Sequence, residues 1–117
     1  MKLTAPILRN LYTALVCCEP FTKWNMPLPE AIDFVVDFDE STMGTYRYDD
    51  GEKYEHLITI SSARCGHLDT VIRTMAHEMI HMSRSGTVSD AWLKHDQTFR
   101  RRAHRISSEL GFDPLEL

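Results

Sequence analysis

A chain of 117 residues has room for one hydrophobic core, so a single domain over residues 1–117 is expected, without a separate substrate or regulatory domain. With 43% hydrophobic and 26% charged residues the composition is that of an ordinary globular protein, which excludes extended disorder, collagen-like repeats and a simple coiled coil. The formal net charge of −4 sets up no field that would draw the protein to nucleic acid or an anionic membrane, so any such binding has to be local.

From Thr4 to Cys18, the apolar residues Ile7, Leu8, Leu11, Leu15 and Cys18 recur at three and four positions, which predicts a helix with Thr4 as N-cap and Pro6 in its first turn. Pro20, Pro27 and Pro29 then force a connection, with Trp24 and Met26 covering a core edge. Ile32, Phe34, Val36 and Phe38 alternate with Asp33, Val35 and Asp37, the period of a half-buried strand. Two further strands are expected at Met43–Tyr48 and Tyr54–Ser62, joined at Asp49-Asp50-Gly51, and the three together predict an antiparallel meander.

After Gly66 the period becomes 3.6. Leu68, Val71, Ile72, Met75, Ala76, Met79 and Ile80 share one helical face, with Asp69 in the first turn and an end near Ser85-Gly86. A last helical segment carries Trp92, Phe99, Ala103, Ile106 and Leu110, with Ser89 or Asp90 as a possible N-cap and Gly111 as the stop. The fold class is therefore α+β: N-terminal helix, three-stranded antiparallel meander, then two helices.

Six histidines against three cysteines point to imidazole chemistry. Cys17 and Cys18 are adjacent and Cys65 is distant, so neither a disulfide framework nor a cysteine zinc ribbon can be written, and a reducing compartment is expected. Arg9 and Asn10 interrupt any N-terminal signal sequence, and no apolar run approaches the roughly 20 residues of a membrane span, so the expected location is the cytoplasm.

Within the 3.6-period segment stands HEMIH. His77 and His81 project from successive turns on one side, close enough to share a tetrahedral zinc ion, and Glu78 lies beside them without facing the ion. Given 6 His and 8 Glu in the chain, the chance of one accidental HExxH is roughly two per cent, before helical context is required. A catalytic zinc needs a third protein ligand and an open fourth position. The metzincin extension fails, because Arg84 and Thr87 stand where Gly and His are needed. A glutamate ligand could be only Glu109 or Glu116. His95, fourteen residues beyond His81 and in phase with Phe99 and Ile106, is better placed, with His104 as its rival.

The runs TVIRTMAHEMIHM and KHDQTFRRRAHRI resemble the SprT-like zinc metallopeptidases. The resemblance spans roughly Ile32 to Ile106. It implies a zincin-like fold, one Zn2+ per chain held by His77, His81 and His95, Glu78 as general base, and a protein or peptide substrate. It also implies that Leu57–Ser62 is an exposed edge strand bordering the cleft, and that His104 is not a ligand. Asp96 stands where the family usually has Gly, and the sequence carries no counterpart of the Cys-rich ribbon of many relatives.

Tyr46 and Tyr48 read as cross-strand packing, with an oxyanion partner as the alternative. His56 and His67 read as polar strand-end and loop residues, and Met75, Met79 and Met82 as core. Lys94, Arg100, Arg101, Arg102 and Arg105 read as a solvated outer face, so nucleic-acid binding should be weak at most and lost towards physiological salt. The function expected is zinc-dependent hydrolysis of peptide bonds. The alternatives are a zinc hydrolase of non-peptide amides and a non-catalytic zinc module docking on a nucleic-acid-associated partner.

Overall fold

The computed structural model describes residues 2–86 and 90–117. Helix α1 spans Ala5–Leu15 and buries Leu8, Tyr12 and Leu15. Tyr12 belongs to that buried face because its ring packs against Phe34, with centroids 5.6 Å apart, while its hydroxyl donates to the Pro27 carbonyl. The helix stops three residues short of Cys18, because the residue before Pro20 is biased away from helical backbone and only four residues separate Leu15 from that proline. Thr4 has extended backbone at the N-cap but makes no side-chain capping bond. Trp24 and Met26 are half-buried against the core, as the spacing of the prolines suggested.

Three strands follow: β1 Ile32–Asp37, β2 Gly44–Tyr48 and β3 His56–Ser61. They form one sheet in the order β1-β3-β2. The β2–β3 pair is the antiparallel hairpin expected around Asp49-Asp50-Gly51, with Gly51 at φ 88°. The antiparallel meander, however, is corrected: β3 lies between the other two and runs parallel to β1. The reason is burial. Ile58 and Ile60 have no accessible surface and Leu57 and Thr59 are only half exposed, the profile of a strand covered on both edges. Ser61 and Ser62 also tie its end to the last residue of β1 and the segment after it, Ser62 N donating to the Asp37 carbonyl at 2.9 Å and Ser61 Oγ to the Asp39 carbonyl at 2.6 Å. The expected edge strand at Leu57–Ser62 is therefore the central strand; the free edge on that side belongs to β2.

Even-numbered strand residues all face the helices. Phe34, Ile58 and Tyr46 make one cross-strand row, and Ile32, His56 and Tyr48 another. The odd-numbered residues Asp33, Thr45 and Arg47 face solvent.

Helix α2 spans Leu68–Met82, with Val71, Met75, Ala76, Met79 and Ile80 completely buried; Leu68, at the first turn, is half exposed. Helix α3 spans Gln97–Leu110 and packs Phe99, Ala103 and Ile106 inward. Gly111 ends it in the left-handed conformation at φ 82°, donating its N–H to the Ser107 carbonyl. The last helical segment is not continuous: Trp92 lies in a short 3-10 turn, Ala91–Leu93, and His95 precedes α3. Of the two N-caps expected, Ser89 lies outside the described residues and Asp90 precedes only the 3-10 turn; the cap of α3 is Asp96, whose side chain accepts from Phe99 N at 3.1 Å. Among the described residues no helix is long and apolar enough to cross a membrane.

Candidate metal centre

The four-residue spacing on α2 puts His77 and His81 side by side, and the extended segment before α3 brings His95 to them from the other side. One ligand nitrogen from each lies within 4.8 Å of the others, and His81 Nε2 and His95 Nε2 are 2.9 Å apart. Two backbone carbonyls set the rings. His77 Nδ1 donates to the Leu117 carbonyl and His81 Nδ1 to the Trp92 carbonyl, each at 2.7 Å. A carbonyl can only accept, so each Nδ1 carries the hydrogen and each Nε2 presents its lone pair inward. The ring of Phe99 forms the floor, its centroid 4.7–5.0 Å from all three imidazoles.

This donor set fits a tetrahedral cation. Nitrogens bound at about 2.0–2.1 Å stand about 3.3 Å apart, inside the range the three span here. The electrostatics agree. Burial, joined by the neighbouring His77, His95 and Arg84, pulls His81 down to about 4, and burial also lowers His77. Both imidazoles are thus neutral at neutral pH, the form that ligates. Glu78 is almost fully buried, and that desolvation pushes its carboxyl up to about 8. Its side chain lies where two adjoining cavities of about 240 and 220 Å3 meet, both of them bordered by His77 and Gly44.

Two residues that position His95 are not evident from the motif. Arg84, just beyond α2 and buried, holds both carboxylate oxygens of Asp96, at 2.6 and 3.1 Å, and this hydrogen-bonded partner keeps the Asp96 carboxyl below its usual range. Asp96 thereby both caps α3 and anchors the residue next to His95. Arg84→Met should weaken metal binding by about tenfold in a chelator competition, with partial recovery in Arg84→Lys, which cannot make the two-pronged contact. Unchanged affinity in Arg84→Met would show that the pair does not position His95. Arg84 had a sequence signal, its place on the histidine side of the helix; the two orienting carbonyls had none, since any residue supplies one.

One wall of the cleft is β2. Met43 O accepts from Ser61 N and Asp49 N donates to Glu55 O, both at 2.8 Å, so odd-numbered β2 residues bond to β3. By the alternation of an antiparallel ladder, the main-chain groups of Gly44, Tyr46 and Tyr48 then point to the free edge. Gly44 is required for close approach: a Cβ there would lie 2.8 Å from Thr74 Cγ2 and 3.1 Å from the Thr59 carbonyl oxygen. For the peptidase activity proposed below, Gly44→Val should displace this edge from Glu78 and lower kcat/KM on the order of 100-fold with metal content unchanged. An unaltered kcat/KM would remove β2 from the binding wall.

The remaining candidates fall elsewhere. Tyr46 is buried with its hydroxyl 2.7 Å from His56 Nδ1 and its ring against Trp92, so it packs, and through Trp92 it supports the carbonyl that orients His81. His56 is buried beneath Tyr46 and Tyr48; His67, His104 and Glu109 are exposed and outside the histidine group. Glu116 is exposed, and its carbonyl accepts from Arg73 at 3.0 Å. The basic cluster is dispersed: Lys94 pairs with Asp90, Arg105 with Glu109, and Arg102 lies over Trp24.

The fold and site define an α+β chain with a three-histidine cluster able to hold a metal ion beside a buried glutamate. Comparison of the chain with protein-family models, curated proteins and solved structures finds no match.

Proposed function

We propose that the protein is a zinc-dependent endopeptidase of the SprT-like kind. The observation that carries this reading is the placement of Glu78 at the floor of a cleft between the His77–His81–His95 cluster and the free edge of β2. Zinc at this cluster supplies a Lewis acid for the scissile carbonyl and an acidified water at neutral pH. An extended peptide lies along β2, bonded to the main-chain groups of Gly44 and Tyr46, which makes recognition broad in sequence. The charge of a bound zinc would bring the Glu78 carboxyl back down from about 8, so that Glu78 accepts a proton from the attacking water and delivers it to the leaving amine. A purely structural metal site has no need of a buried carboxylate in this position. The three cysteines are free, in keeping with a reducing compartment such as the cytoplasm.

The test is metal analysis of the purified protein together with cleavage of unfolded casein and of small non-peptide amides. One zinc per chain and cleavage of casein alone are expected. Absence of stoichiometric metal would remove the centre, and turnover of small amides alone would replace the peptidase with an amidohydrolase.

A further inference from the structure

The cavity on the far side of the histidines from β2 is not used by the chemistry above. It has a volume of about 360 Å3, and His77 and His95 themselves are part of its lining. Phe99 and Ala103 of α3 make one wall; Pro114 and Leu115 make the other. That second wall is a built element. Asp113 accepts from Leu115 N at 3.0 Å, Arg73 donates to the Glu116 carbonyl at 3.0 Å, and His77 Nδ1 donates to the Leu117 carbonyl. Leu115 is nevertheless 95% exposed, a large apolar side chain held in place with nothing covering it. Arg100 and His104, both exposed, complete the lining.

We propose that this cavity is the subsite for a large apolar side chain, leucine, phenylalanine or methionine, adjacent to the bond that is cut. The inference rests on the peptidase reading and names the substrate class of the same site. Its continuity with the histidines decides the occupant: a peptide lying along β2 across the cluster sends alternate side chains to opposite faces, and one of them reaches this opening. The volume suits one or two side chains and not a partner's helix. A basic side chain is disfavoured, because Arg100 is exposed in the lining and makes no ion pair among the described residues.

The test uses the zinc-loaded 117-residue chain and the hydroxamates of leucine, glycine and lysine, which chelate through a common head group and differ only in side chain. Binding is followed calorimetrically and by methyl NMR shifts of Ala103 and Leu115. Leucine hydroxamate should bind at least about tenfold tighter than the glycine compound, shift both methyl groups, and lose that advantage in Leu115→Asp, whose folding is secured by the exposure of the site. Equal affinities, a preference for lysine, or an advantage that survives Leu115→Asp would overturn the subsite. So would a dimer in sedimentation that Leu115→Asp dissociates, since a second copy would then be the occupant. Binding of none of the three would overturn the subsite and the metal centre together. Failure to cleave casein while leucine hydroxamate binds as expected would sink the peptidase and leave the pocket.

Discussion

Glu78→Gln is expected to retain one metal per chain and the wild-type melting temperature while cleavage falls by at least about 100-fold. The glutamate is not among the three groups whose ligand atoms converge, so metal content should not depend on it. Its burial raises the carboxyl to about 8, which is the cost of placing a charge in that pocket; a neutral amide of the same shape carries no such cost. What glutamine cannot do is accept a proton from water. The measurements are metal analysis, a thermal melt and initial rates on unfolded casein. Loss of metal in this variant would make Glu78 a ligand, and an undiminished rate would remove it from proton transfer.

His95→Ala is the second substitution with a large effect. It removes one of three donors, so the remaining pair on α2 should lose most of its affinity, and the variant in excess zinc should melt where chelator-treated wild type melts. A ligand present at a thousand times its dissociation constant stabilises a fold by about 4 kcal/mol. In a domain of this size that is on the order of 15 °C. His104→Ala and Glu109→Ala, both exposed and away from the cluster, should melt with the wild type. If His95→Ala kept the metal while either of those lost it, the third ligand would be misassigned.

The histidine cluster was legible in the sequence because a four-residue spacing on a strongly periodic helix is a geometric statement in itself. The strands were legible as faces but not as neighbours. Alternation tells which side of Phe34 or Ile58 is buried and is satisfied equally by a meander or by β3 inserted between its predecessors; only the two-sided burial around Leu57, Ile58 and Ile60 separates them. The break before α3 was hidden for a related reason: Trp92, His95 and Phe99 keep a helix-like phase although His95 lies outside any helix. Asp96 was the available signal, an N-cap residue three positions before Phe99. The Leu117 and Trp92 carbonyls that orient the imidazoles leave no trace in side-chain identity.

All the helices lie over the even-numbered strand residues, and the histidines, Glu78 and the apolar cavity lie on that side too. The opposite face of the sheet therefore offers a handle. Asp33, exposed on β1 at the edge farthest from β2, can carry a fluorophore or a surface tether without entering the cleft. Thiol coupling at that position would need Cys17 and Cys18 replaced first, because the one is exposed and the other partly so, whereas the buried Cys65 would stay unlabelled in the folded protein. Immobilised this way, the molecule would present its cleft outward to a polypeptide in solution.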